Sequence, residues 1–324
     1  MAFSPTKGNF NCYWLDDSVD TDNADSISFG IGIVCIIRKG SPTVYRVGLE
    51  AVCLGLSDIV SASCGLDHVA LRDIHGTVYC YGNNQHGQCG EAGEGNNKQH
   101  VFVLSRSTKL VCCGATSTLI VCSSGAFEAV GPNQYCQLGD IEIDSGRRTQ
   151  LFTEPIQLIS SGYAHTCIIA GDILYGSGSN SHGQLSFLTD DLVQKGFKPW
   201  IDSFTVRSVA CGHWNTALIT NKGELFVAGK APPFQGEPMA LNRIREQWKK
   251  RYSREFKRIG AWKRIPLPEP ASEVKIGSSL ALVLALNRKT IFFLDLCEVS
   301  ILRTVRVEDD IKSFTVAGRN WAFT

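Results

Sequence analysis

The sequence predicts an all-β fold, a seven-bladed β-propeller, and three observations carry that prediction. One phrase recurs along the chain at a nearly constant period. Each copy alternates short apolar runs with glycine-bearing turns. The last copy stops halfway through. A unit that small cannot bury both of its faces alone, and radial stacking of about seven such units solves the problem.

The phrase is clearest as Cys64-Gly65-Leu66-Asp67-His68-Val69-Ala70-Leu71, followed by His75-Gly76-Thr77-Val78-Tyr79-Cys80-Tyr81-Gly82-Asn83-Asn84-Gln85-His86-Gly87-Gln88. It returns from Ser161 to Gln184 and from Cys113 to Gln137, with a first half from Cys211 to Gly229. The glycine after the first strand falls at Gly65, Gly114, Gly162 and Gly212, spacings of 49, 48 and 50 by subtraction. Weaker copies follow at Gly277 and Gly318, and a degenerate one spans roughly Ile27 to Leu49. Within a copy, runs such as Val69-Ala70-Leu71 and Val78-Tyr79-Cys80-Tyr81 are rich in strand formers and bounded by Gly, Asn and Asp, as hairpins require. The turns at Gly76 and Gly223 place glycine where a positive φ is expected.

The two ends predict closure. The chain finishes with Gly318 to Thr324, half a repeat, and Pro5 to Trp14 reads as the other half, a turn and a strand. Strands from both termini then share one blade, which removes the open sheet edges. The whole chain, 1–324, reads as a single domain.

The pattern in Ser161-Gly162-Tyr163-Ala164-His165-Thr166 and Gly178-Ser179-Asn180-Ser181-His182-Gly183-Gln184-Leu185 resembles the repeat of the regulator of chromosome condensation family. Four copies carry it well and the others are eroded, so the chain resembles a divergent member. The resemblance implies the propeller fold. It also implies guanine-nucleotide exchange on a small GTPase, with docking on chromatin, because founding members press a propeller face and a wedge insertion against the GTPase. That activity lives in loops, and no loop here matches an exchange wedge, so no exchange residue is transferred. The basic tail tied to chromatin docking has no counterpart before the first blade. Fold alone does not assign function.

Composition excludes rather than assigns. Net charge is +1 over 324 residues with 44% hydrophobic content, so no global bias points to nucleic acid or acidic partners. Of the 13 cysteines, Cys64, Cys113 and Cys211 occupy the small slot before the repeat glycine. Met1 to Trp14 lacks a secretory pattern, so free buried thiols and an intracellular protein, cytoplasmic or nuclear, are expected. The most apolar stretch, Ser279 to Leu286, is too short to span a bilayer.

No reaction centre, metal site or cofactor is expected. His68 and His165 share one repeat position, and His86 and His182 another, which argues for hydrogen bonding inside a blade rather than ligation. The glycine-rich run around Gly178 lacks the Lys-Ser/Thr ending and following helix of a phosphate loop. No nucleophile elbow or distinguished acidic pair is present. The acidic stretch with Asp16, Asp17, Asp20, Asp22 and Asp25 lacks the central Gly and closing Glu of a calcium loop. It reads as a solvated loop or as a strip for a basic partner.

The departure from the repeat is the functional clue. Gly212 to Gly277 spans 65 residues, and the segment 231–272 reads as a helical insertion between blades. From Met239 to Trp262, Leu241, Ile244, Trp248, Tyr252, Phe256 and Ile259 recur at helical steps. Its other face carries Arg243, Arg245, Lys249, Lys250, Arg251, Arg254, Lys257 and Arg258 against Glu246 and Glu255. Three readings stand: a stripe packed on the propeller with solvated charges, a dock for an acidic protein surface, or contact with nucleic acid or anionic membrane. The sequence therefore points to a non-catalytic protein-interaction scaffold whose candidate binding residues are those eight cations with Trp248. The alternative is an exchange factor for a small GTPase, associated with chromatin.

Overall fold

The computed structural model describes residues 24–46, 49–90, 101–140, 147–150, 152–186, 192–200, 205–230, 262–277, 280–296, 300–312, 314–317 and 320–323. Among the described residues every regular element is a strand, in six four-stranded sheets and one two-stranded sheet. Sheet A comprises Ser26–Phe29 (β1), Ile33–Arg38 (β2), Ser41–Arg46 (β3) and Val52–Cys53 (β4). Sheet B comprises Ile59–Cys64 (β5), His68–Asp73 (β6), Val78–Gly82 (β7) and Val101–Ser105 (β8). Sheet C comprises Thr108–Cys113 (β9), Thr118–Cys122 (β10), Phe127–Val130 (β11) and Arg147–Gln150 (β12). Sheet D comprises Ile156–Ser161 (β13), His165–Ala170 (β14), Ile173–Ser179 (β15) and Val193–Pro199 (β16). Sheet E comprises Val206–Cys211 (β17), Asn215–Thr220 (β18), Leu225–Gly229 (β19) and Lys263–Ile265 (β20). Sheet F comprises Ala271–Ile276 (β21), Leu280–Ala285 (β22), Thr290–Asp295 (β23) and Ser300–Arg306 (β24), and sheet G Phe314–Ala317 (β25) and Asn320–Phe323 (β26).

Each sheet is an antiparallel meander in chain order. The first strand of each sheet lies against the first strand of the next, from β1 through β5, β9, β13, β17 and β21 to β25. β25 in turn lies against β1, which sets the chain's last sheet beside its first. This is a β-propeller, with the first strands innermost. Sheets face one another, so the second strands are apolar on both sides: β14, β18 and β22 are buried at every residue. Continuous rather than alternating apolar runs are what double-sided burial selects.

The core is correspondingly divided into layers between neighbouring sheets. Leu119, Val121 and Phe127 of sheet C pack with Ile156 and Ile168 of sheet D. Phe127 meets the Phe197 ring edge-on at 5.3 Å. Sheets E and F share a second layer containing Ile219, Val283 and Phe292. Each fully buried side chain of this size contributes about 1.5–3 kcal/mol, which favours packing sheet on sheet around the ring. The glycines expected to need positive φ have it, 83° at Gly76 and 80° at Gly223.

The N-terminal half-repeat at Pro5 to Trp14 and the acidic stretch up to Asp22 lie outside the described residues. So does all of 231–261, and with it the expected helix except its last residue. Of the longer segment 231–272, Lys263–Ile265 is the fourth strand of sheet E and Ala271 opens sheet F, so the departure from the repeat narrows to 231–261. The cysteines among the described residues are free thiols, and most are buried. Burial pushes the Cys35 thiol up to about 12 and the Cys112 thiol up to about 11.

Candidate interaction face

One end of the ring carries the Cys-Gly loops, and its geometry explains the repeated phrase. Successive loops are tied by backbone bonds: Gly32 N–H to Leu66 O at 2.8 Å, Leu66 N–H to Ala115 O at 2.9 Å, Ala115 N–H to Gly162 O at 3.1 Å. Tyr163 N–H continues the belt to Gly212 O at 3.3 Å. A methyl group added at Gly162 would overlap the Gly212 carbonyl, so a side chain there would separate the two sheets. The preceding residue clasps the sheet before it. Cys64 N–H bonds Ser28 Oγ at 3.1 Å, Cys113 N–H bonds Ser63 Oγ at 2.9 Å, and Cys211 N–H bonds Ser160 Oγ at 2.8 Å. The cysteine thiols join in, with Cys64 Sγ donating to Ser28 O and Cys113 Sγ to Ser63 O.

The repeat histidines act between sheets, not within one as the sequence suggested. His68 of sheet B reaches Thr118 Oγ1 of sheet C at 3.1 Å, and His165 of sheet D reaches Thr216 Oγ1 of sheet E at 2.9 Å. Each threonine hydroxyl donates its own proton to a carbonyl, Thr118 to Gln88 O and Thr216 to Gln184 O, both at 2.7 Å. The hydroxyl must therefore accept from the imidazole, which assigns the proton to Nε2. Burial lowers the His68 pKa to about 4, so this ring is neutral. The glutamine of the Gly-Gln ending also holds its own loop: the Gln137 and Gln184 side chains accept from Tyr135 and His182 N–H at 3.0 and 2.9 Å.

On sheets D and E the same face bears a ring cluster that, among the described residues, the other sheets do not repeat. Tyr163 stacks on His213 with centroids 4.4 Å apart and planes 11° apart. His182 stacks on Trp214 at 4.9 Å and 10°, and His213 meets Trp214 edge-on at 4.6 Å. Burial lowers the pKa of His182 to about 4, reinforced by the charge of Lys230 and by His165. Burial lowers His213 to about 4 as well, with His182 and His165 adding to it. Both rings are thus neutral and available for stacking at pH 7. Lys230 N–H bonds Trp214 O at 2.9 Å. Val227 pairs with Lys263, so Lys230 and Trp262 both lie toward this end of sheet E. Trp262 meets the edge of Trp200 at 4.8 Å. Farther round, Arg46 forks Asp67 with contacts of 2.6, 2.7 and 3.0 Å, and Arg46 is only 8% exposed.

The residues singled out from sequence, Arg243, Arg245, Trp248, Lys249, Lys250, Arg251, Arg254, Lys257 and Arg258, all lie outside the described residues. The ones sequence reading passed over are Tyr163, His213 and Trp214. Their signal is divergence between copies: Tyr163-Ala164 and His213-Trp214 occupy the slots that hold Leu66-Asp67 and Ala115-Thr116 elsewhere. Among the described residues no group of His, Cys, Asp or Glu is arranged to hold a metal, and no helix is long and apolar enough to cross a membrane.

Fold and face define a repeat β-propeller with a cluster of stacked rings on its loop end. Family models for the regulator of chromosome condensation (RCC1) repeat match residues 59–88 and 75–121. Residues 59–121 of this chain are thus similar to the RCC1 repeat. The X-linked retinitis pigmentosa GTPase regulator homolog of Caenorhabditis elegans is 26% identical over 193 residues, 52% of this chain and 13% of that protein. The chain spans only 13% to 41% of the curated relatives it matches first. Human WBSCR16 superposes with a TM-score of 0.73 at 18% identity, over 94% of this chain and 88% of that one. Prp20p of Saccharomyces cerevisiae superposes with a TM-score of 0.68 at 15% identity, over 92% and 81%.

Proposed function

We propose that this chain is a non-catalytic interaction scaffold, an intracellular protein of cytoplasm or nucleus. In this reading residues 1–324 form one seven-bladed propeller, closed by N- and C-terminal strands sharing a blade, and 231–261 includes a basic amphipathic helix. The observation that carries it is the ring cluster Tyr163, His182, His213 and Trp214 on the loop end, supported by the eight Arg and Lys that the sequence places between Arg243 and Arg258. Rings with polar edges supply contact area at low entropic cost, and cations supply orientation toward an acidic protein surface. Neighbouring proteins support the class of partner: Prp20 was solved bound to Kap60, and its binding to Gsp1p and histones was described with its structure.

The test is affinity purification with mass spectrometry, comparing the native chain with Lys249→Glu/Lys250→Glu/Arg251→Glu/Arg254→Glu. The variant is expected to lose its specific partners while keeping its melting temperature. Retention of every partner would remove the segment from the interface.

A second reading is guanine-nucleotide exchange on a small GTPase, with chromatin contact. Its support is the name of the C. elegans relative, a GTPase regulator homolog, and the Gsp1p and histone binding ascribed to Prp20p. No residue of this chain is assigned to that activity.

A further inference from the structure

The inner strands share an irregularity at the end of the ring opposite the ring cluster. In five sheets the first strand carries a bulge at its second residue, which the partner strand skips: Val60, Lys109, Gln157, Arg207 and Ser272. A bulge leaves its extra residue out of the ladder and re-aims the side chain. In β5, β9, β13 and β17 the first residue is buried and the bulged one exposed. Ser272 turns inward instead and donates to Leu284 O and Ala285 O at 3.2 Å. Because these strands are innermost and adjacent, the outward bulges form an arc at one mouth of the central channel.

Of the four outward residues Val60 is apolar, and the other three make the arc cationic and polar. Lys109, Gln157 and Arg207 come from the consecutive sheets C, D and E, and among the described residues neither cation has a carboxylate partner. Glu154, three residues before Gln157, lies over the Gly171 turn. Two unneutralised cations flanking an amide, at the rim of a cleft, focus a field that attracts negative charge. Facing sheets pack about 10 Å apart, so cations two sheets apart are separated by up to about 20 Å at their roots. A single small anion cannot serve both well, whereas an extended chain advancing about 3.3 Å per residue covers the arc in roughly six residues.

We propose that this channel mouth binds an extended acidic peptide segment, with Lys109 and Arg207 receiving carboxylates and Gln157 bonding the chain between them. The site lies at the opposite end of the ring from the ring cluster. The probe is a fluorescein-labelled hexaglutamate peptide, followed by fluorescence anisotropy at low salt. The background is the full chain with Lys249→Glu, Lys250→Glu, Arg251→Glu and Arg254→Glu, which removes competing cations. Adding Lys109→Glu and Arg207→Glu is expected to weaken binding at least about tenfold, as loss of close charge partners does. Lys109→Gln with Arg207→Gln weakens it in the same direction and covers the case in which the reversal unfolds. Inorganic phosphate is expected to displace the peptide no better than chloride at equal ionic strength. Absence of peptide binding to the background chain, unchanged affinity in both double variants, or displacement by phosphate as effective as by unlabelled peptide overturns the proposal.

Discussion

Replacing Thr216 by valine isolates the link that joins sheets D and E. The two side chains have nearly the same shape, so the cavity term is small and the loss is the hydroxyl. That hydroxyl serves two buried partners, accepting from His165 Nε2 at 2.9 Å and donating to Gln184 O at 2.7 Å. Thr216 and His165 are fully buried, so neither partner recovers a bond from bulk water. Leaving a buried donor or acceptor unsatisfied costs about 1–3 kcal/mol each, so the substitution should cost roughly 2–6 kcal/mol. Thr216→Ser keeps the hydroxyl and loses one methyl, about 1 kcal/mol by the same order of reasoning. Urea unfolding followed by tryptophan fluorescence separates the two, provided the slope against denaturant is unchanged. Equal midpoints for the valine and serine variants would refute the assignment of the threonine as the shared joint.

Three further outcomes follow from the same geometry. Thr118→Val should reproduce the loss between sheets B and C, because Thr118 stands between His68 and Gln88 O in the same way; a midpoint matching Thr118→Ser contradicts it. Stability should fall as pH drops from about 6.5 to about 4, since His68, His182 and His213 have folded pKa values lowered to about 4 and the unfolded chain binds more protons in that window. Their contribution is fully present above 6.5 and gone below 4, and a urea midpoint flat across that range would disprove it. His213→Ala with Trp214→Ala should abolish capture of the partners that depend on the loop face while leaving circular dichroism unchanged; undiminished capture by the folded variant rules the ring cluster out.

The fold was legible because its signal is repetition. Four glycines at near-constant spacing located the Cys-Gly loops, and Gly76 and Gly223 marked turns whose positive φ the structure contains. The role of His68 was only half legible. Its shared position with His165 announced a structural role, yet its acceptor lies fifty residues onward on another sheet, a distance no local pattern encodes. The bulges at Lys109 and Arg207 were hidden for a similar reason, because a skipped residue shows only when the partner strand is laid beside it. Tyr163, His213 and Trp214 were visible as letters but not as a cluster, since stacking depends on how sheets D and E are rotated about the ring. The nine residues chosen from charge and periodicity, Arg243 to Arg258, rest on the sequence pattern alone.

The scaffold reading is tested most directly by nucleotide release from a panel of purified small GTPases, each loaded with a fluorescent guanine nucleotide. A scaffold present in catalytic amounts leaves every release rate at its intrinsic value, even where a GTPase binds. Acceleration of release from any one of them, scaling with the amount of chain added, would contradict that reading and make the protein an exchange factor.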